Sequence, residues 1–155
     1  MISKEHSDAL ADAIADAWAR CDAVIEGSAG INEALTACSR AWAIAQEQVI
    51  VVDRAYPGRN APEKLKQERL QRLGAYRDQR ATAVAILTPV LERARAYSRG
   101  PEAGRAYDRQ RDARVAAETP KLARMAADIE AREARIGGPL DRAVRENIQR
   151  AYLGR

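Results

Sequence analysis

The chain has 155 residues and a net charge of +4, and alanine and arginine dominate a composition without phenylalanine. Both residues are strong helix formers, so the composition favours helices and argues against a sheet, whose strands draw on β-branched and aromatic residues. The longest apolar run, Val49 to Val52, is far shorter than the roughly 20 residues that cross a bilayer, and no apolar stretch follows a positive leader. We therefore expect a cytoplasmic protein without a membrane partner.

The first two predicted helices form an antiparallel hairpin over residues 1–58. In the first, large apolar residues recur at helical spacing: Leu10, Ile14, Trp18, Cys21 and Ile25. The second carries a heptad seam: Ile31, Leu35, Cys38, Trp42, Ala45, Val49, Val52 and Tyr56. With the turn centred near residue 29 or 30, the facing pairs are Ile25 with Leu35, Cys21 with Cys38, Trp18 with Trp42, Ile14 with Ala45, and Leu10 with Val49. Because apolar meets apolar throughout, the pattern predicts a packed hairpin.

A long basic helix is predicted over residues 59–99. Asn60 is its expected cap, and Pro62 falls in its first turn. Its apolar face is Leu70, Leu73, Tyr76, Ala83, Val84, Leu87, Leu91 and Ala94. Pro89 lacks an amide donor, so a kink or break is expected near it, at Thr88.

The remaining chain is predicted as a charged linker or solvated helix over 100–119, followed by a C-terminal helix pair over 120–155. Thr119 followed by Pro120 is typical of a helix start, and the Gly137-Gly138-Pro139 sequence separates the two last helices. The expected fold is therefore an all-α, elongated helical bundle of five or six helices, forming a single domain over 1–155.

Few residues suggest chemistry. His6, the lone histidine, stands near Glu5 and Asp8, but it is interpreted as part of a solvated helix end because a metal site needs three or four convergent ligands. Cys21 and Cys38 are expected to be neighbours, as a reduced core pair rather than a disulfide. No phosphate-binding glycine loop and no nucleophile with a histidine partner can be drawn. We therefore expect no cofactor, no metal and no enzymatic activity.

The region 59–114 is the most suggestive stretch, because it holds 14 basic and 7 acidic residues. On a helical wheel its cations intrude on the apolar side near Leu73: Lys66, Arg69, Arg77 and Arg80. Three explanations remain open. The stems extend outward to solvent, or the charges pair with acids of the first hairpin, or the stretch meets an anionic partner.

Four tyrosines occur in the triplet Arg-Ala-Tyr. Tyr56, Tyr97 and Tyr152 stand at predicted helix ends, where we expect each ring to pack on the core and each hydroxyl to stay in water. Tyr107 is better placed to stack on a base or a partner side chain. The candidate partner-binding residues are accordingly Lys66, Arg69, Arg77, Arg80, Arg105, Tyr107, Arg109 and Arg111.

These observations favour a non-catalytic binding or adaptor protein that acts through a protein partner, within a larger assembly or as an inhibitor of a larger machine. The alternative is a nucleic-acid-binding protein that uses the arginine-rich region 59–114 and loses affinity steeply with salt. Self-association into a homo-oligomer is a further option, because Ile44, Ile50 and Val51 lie outside the hairpin face. Burial of these three side chains against the later helices is the other explanation.

Overall fold

The computed structural model describes residues 2–154, and within them it contains five α-helices and no strand. The helices are α1 (Lys4–Ile25), α2 (Ile31–Arg54), α3 (Glu63–Ser98), α4 (Pro101–Ile136) and α5 (Arg142–Leu153). The all-α bundle expected from composition and periodicity is thus confirmed. The chain divides into two compact units, one ending at Arg105 and one starting at Ala106.

The first unit has its core between α1, α2 and α3, which all pack against one another. The main cluster of buried residues is Ala17, Cys21, Val24, Ala34, Ala37, Cys38, Ala41, Leu87, Leu91 and Ala94. Half of these side chains are alanine, so the helix backbones approach one another closely and the core is closed with little side-chain volume. This packing explains how a chain without phenylalanine and with few large apolar residues buries a core.

The predicted hairpin of α1 and α2 is confirmed, but its contact face is rotated from the expected one. Cys21 and Cys38 meet as predicted, with 4.0 Å between their sulfurs. Trp18 is 43% exposed and makes no ring contact with Trp42, whereas its neighbour Ala17 is fully buried. The expected Trp18–Trp42 pair is therefore wrong, because the close approach of the helices selects alanine at the point of contact.

The pairing also drifts along the hairpin. Leu10 packs in a cluster with Ala45 of α2 and Ala83 of α3, one helical turn away from its expected partner Val49. Val49 packs instead in a cluster to which Ile2 adds its side chain. The arithmetic of facing residues is thus correct for Cys21 with Cys38 and wrong by one turn for Leu10.

α3 is one continuous helix across Pro89, so the expected break at Thr88 does not occur. Proline leaves the carbonyl of Ala85 without its helical donor, but Ala85 is exposed and water can replace that bond. Pro62 takes the cap position and no side chain caps the helix, so the prediction that Asn60 caps it is wrong. Leu70 and Val84, which were assigned to its apolar face, are exposed.

α4 runs without interruption through Pro120, so no helix begins there as the Thr119-Pro120 pair suggested. The hydroxyl of Thr119 donates to the carbonyl of Val115 at 2.7 Å instead of capping a new helix. Ala116, whose carbonyl loses its donor to the proline, is exposed to water. Gly100 makes the short turn from α3 into α4 possible, because its φ of 127° is strained for residues with a side chain.

In the second unit, α5 folds back along the last turns of α4. Glu133 accepts hydrogen bonds from the side chain of Arg145 and from the amide of Leu140, the latter at 3.2 Å. The hydroxyl of Tyr152 donates to Asp128 at 3.4 Å. The bond from Arg145 lowers the pKa of Glu133, and the bond from Arg132 lowers that of Asp128. Both carboxylates are therefore held in the charged form.

Candidate functional site

Arg69 of α3 clamps the C-terminal end of α2. Its guanidinium donates to the carbonyl of Val52 at 3.2 Å and to that of Asp53 at 2.7 Å, and it pairs with the Asp53 carboxylate at 3.3 Å. It also lies 5.2 Å from the centre of the Tyr56 ring. The last carbonyls of a helix have no partner within the helix, and a cation there opposes the negative end of the helix dipole. Of the three explanations for its position, pairing with the first hairpin applies to Arg69.

An open groove with three arginines lies on one side of the α2–α3 interface. We call it the arginine groove. It has a volume of about 620 Å³ and is lined by Gln46, Val49, Ile50, Asp53, Arg54, Arg77 and Arg80. Arg80 donates to the Gln46 amide oxygen at 2.6 Å. Arg54 and Arg77 form no ion pair with any acidic side chain among residues 2–154, so their charge is available to an anion.

A smaller, mainly apolar cavity lies between the end of α2 and the start of α3. We call it the terminal pocket. It has a volume of about 240 Å³ and is lined by Val51, Val52, Ala55, Pro57, Leu65, Glu68, Arg69 and Arg72. Val51 is 51% exposed and Leu65 is 48% exposed. Arg72 forms no ion pair among the described residues, whereas Glu68 lies 4.0 Å from the ammonium of Lys64.

The eight candidate partner-binding residues have different surroundings. The structure brings Arg77 and Arg80 together in the arginine groove, while Arg69 faces the end of α2. The ammonium of Lys66 lies 3.8 Å from a carboxylate oxygen of Glu63. The other four belong to α4: Arg105 and Arg109 are exposed, Tyr107 is partly buried and has an interaction partner, and Arg111 pairs with Asp108 and Asp112 at 3.8 and 3.3 Å. Whether any of them binds a partner stays a prediction.

Sequence reasoning did not single out Arg54, Arg72 or Leu65. The available signal was spacing: Leu65, Arg72 and Tyr76 recur seven and then four residues apart, which places them on one face of α3. That face turns toward the N-terminal end of α1, which the composition of α3 alone could not show.

The tyrosine rings follow the packing interpretation in part. The ring of Tyr97 covers Gly104, where an added Cβ would lie 2.3 Å from the ring. Tyr152 is partly buried, in agreement with the prediction, but its hydroxyl, which was expected to stay in water, donates to Asp128. Tyr56 is 57% exposed, so the expectation that its ring packs on the core is wrong; its neighbour is the Arg69 guanidinium.

His6 is buried, so its interpretation as part of a solvated helix end is wrong. Its ring stands edge-on to that of Tyr76, with 5.3 Å between centroids, and its Nε2 has no hydrogen-bond partner in the described part of the chain. Its acidic neighbours in the sequence, Glu5 and Asp8, are both exposed. No three metal-binding side chains converge anywhere in residues 2–154.

Cys21 and Cys38 are fully buried and unbridged. Burial and the neighbouring Cys38 raise the pKa of the Cys21 thiol to about 12, and burial also raises the pKa of Cys38. Since the thiolate is the nucleophile, both groups are held in their unreactive form near neutral pH.

Comparisons with known protein families, curated proteins and solved structures give no match for this chain. None of the helices in the described part of the chain is long and apolar enough to cross a bilayer.

Proposed function

We propose that this chain is a non-catalytic protein-binding protein, an adaptor within a larger assembly or an inhibitor of a larger machine. Its contact surface is the end of the α2–α3 pair, formed by the terminal pocket and the arginine groove. The observation that carries the proposal is the exposure of Val51 and Leu65 at a cavity flanked by arginine. Arginine is enriched at protein interfaces, and the exposed apolar area of Val51 and Leu65 beside it would leave water when a partner binds.

A non-catalytic role is supported by the state of the residues that commonly act as nucleophile or base. Both thiols are buried, and the raised pKa of Cys21 keeps it protonated. His6 is buried against Tyr76, and no described residue forms a hydrogen bond with its Nε2. A general base must reach the proton that it removes, which a buried ring in this position does not do.

The second candidate is nucleic-acid binding, and the arginine groove is the observation that favours it. Arg54 and Arg77 have no carboxylate partner among residues 2–154, and arginine suits phosphate. Against it, Arg69 is used inside the fold, and Lys66 and Arg111 lie beside acidic residues. Exposed aliphatic side chains such as Leu65 also have no role in binding a phosphate backbone.

The proposal is tested by comparing two variants of the tagged full chain in cells of its source: Leu65→Glu at the terminal pocket and Val115→Glu on α4, where the valine is 58% exposed. Both replace an exposed aliphatic residue by the same charge, so both are expected to keep the wild-type unfolding midpoint. Proteins recovered with the wild type and with V115E, but reduced about tenfold with L65E and unaffected by nuclease, are the expected result. Equal recovery with both variants contradicts the proposal.

The nucleic-acid alternative is tested by fluorescence anisotropy of labelled duplex DNA and single-stranded RNA at low and moderate salt. Binding that weakens steeply with salt and is lost in the Arg77→Gln, Arg80→Gln double variant supports it. No binding at low salt rules it out.

A further inference from the structure

The first residues of α3 extend beyond the start of α1. The ring of His6 meets Tyr76, and Gln79 donates to the hydroxyl of Ser7 at 3.3 Å. Where the two helices touch, α1 and α3 therefore run parallel to each other. By this alignment Lys4 lies level with Gly74. Residues 63–72 of α3, which span about 15 Å at 1.5 Å per residue, therefore have no part of α1 beside them within residues 2–154.

On α3, the face that α1 covers continues into this overhang. Tyr76, Gln79 and Ala83 contact α1, and Leu65 and Arg72 precede them at spacings of seven and four residues on the same face. The terminal pocket thus lies on the same side of α3 as α1 itself.

On α2, the face that packs against α1 also continues past the start of α1. Cys38, Ala45 and Val52 are seven residues apart. Cys38 contacts Cys21, Ala45 clusters with Leu10, and Val52 belongs to the cluster against which Ile2 packs. Ala55, one turn further, lines the terminal pocket with Val51. The terminal pocket is consequently an extension of the groove between α2 and α3 into which α1 packs.

The side chains of this extension define what fits it. A groove that already packs one helix has the geometry for another helix further along it. Val51 and Leu65 offer an apolar contact that is half-exposed in the chain alone, and Arg72 offers a charge without an ion-pair partner among residues 2–154. Arg69 is not available, because it is bound to the end of α2.

We infer that a partner protein docks an acidic amphipathic helix of about ten residues in this extension, end to end with α1. An apolar side chain of the partner enters between Val51 and Leu65, and a carboxylate pairs with Arg72. This inference rests on the proposed function and adds the chemical class of the partner segment.

The experiment selects binders from a displayed library of helical peptides of about 14 residues (~21 Å) against the full wild-type chain. Selected peptides are then titrated against Leu65→Glu, Arg72→Glu and the control Val115→Glu. The expected peptides carry apolar residues three and four apart with a flanking Asp or Glu. Their affinity falls about tenfold or more in L65E and in R72E and is unchanged in V115E. Replacing the peptide acid by Lys restores binding to R72E.

Three results overturn the inference. One is a selection that yields no peptide sensitive to Leu65→Glu, and another is a set of peptides without the acidic residue or without the helical spacing. The third is a wild-type chain that sediments as a dimer and becomes monomeric in L65E, because the occupant is then a second copy. If the inference fails while protein recovery from cells still depends on Leu65, the proposed function stands and the partner uses another structure. If that dependence is also absent, both fail.

Discussion

Replacing Arg69 by alanine is expected to lower the free energy of unfolding by about 2–3 kcal/mol. The side chain is 16% exposed and donates to two backbone carbonyls at the end of α2, at 3.2 and 2.7 Å. Hydrogen bonds that involve a charged group contribute roughly 1.5–3 kcal/mol each, but water replaces part of this contribution at an open helix end. The Asp53 carboxylate adds little, since it is 59% exposed and such pairs contribute about 0–1 kcal/mol.

The assay is equilibrium unfolding in urea followed by circular dichroism, with two controls. Asp53→Ala removes the exposed ion pair and keeps both backbone bonds, so we expect a loss of at most about 1 kcal/mol. Arg77→Ala removes a cation without an ion-pair partner among the described residues, and we expect a change within about 0.5 kcal/mol. An Arg69→Ala variant no less stable than Asp53→Ala would refute the view that this arginine fixes the end of α2.

Two further perturbations test the packing. Gly104→Ala is expected to lower the free energy of unfolding by about 1–3 kcal/mol, because the added Cβ would clash with the Tyr97 ring. Gly74→Ala, whose added Cβ meets nothing within 4 Å, is expected to raise it by roughly 0.5–1 kcal/mol. Unfolding midpoints of the two variants check this, and equal effects would contradict it. Burial raises the pKa of Cys21 from 9.0 to about 12, so the unfolded chain releases this proton first and the folded state should lose stability between about pH 9 and pH 12. Wild type and Cys21→Ala compared over that range should differ in slope, and parallel curves would contradict the shift.

The helices of the first unit were predictable because their signals are physical and local. Gly27 and Gly30 mark the turn, and Cys21 and Cys38 were placed together by spacing alone. The contact face of α1 was harder to predict, since alanines occur on every side of that helix. Large residues such as Trp18 then indicate a face that the close packing at Ala17 does not use.

The two internal prolines show a different limit. Proline removes one donor and disfavours the helical conformation of the residue before it, but this cost is small when the freed carbonyl is reached by water. Ala85 and Ala116 are both exposed, so α3 and α4 continue where a break or a new helix was expected. Exposure is a property of the folded chain, and the sequence alone does not reveal it.

The candidate site was predictable as a charge pattern and not as a surface. The wheel correctly showed that Arg69 faces the apolar side of α3, but it could not decide between solvent, an internal acid and a partner. The distances at Val52 and Asp53 decide for the internal role. The terminal pocket depends on where α1 starts relative to α3, which is a tertiary alignment that no local pattern encodes.

The most direct measurement of the central claim is site-specific photo-crosslinking from the surface itself. A photoreactive phenylalanine derivative placed at Leu65, and separately at Val115 as the control, is irradiated in cells that contain the full chain. We expect a nuclease-resistant protein adduct of defined mass from position 65, reduced when Arg72→Glu is added, and no such adduct from position 115. Equal adducts from both positions, or none from position 65, would contradict the account that the end of the α2–α3 pair binds a protein partner.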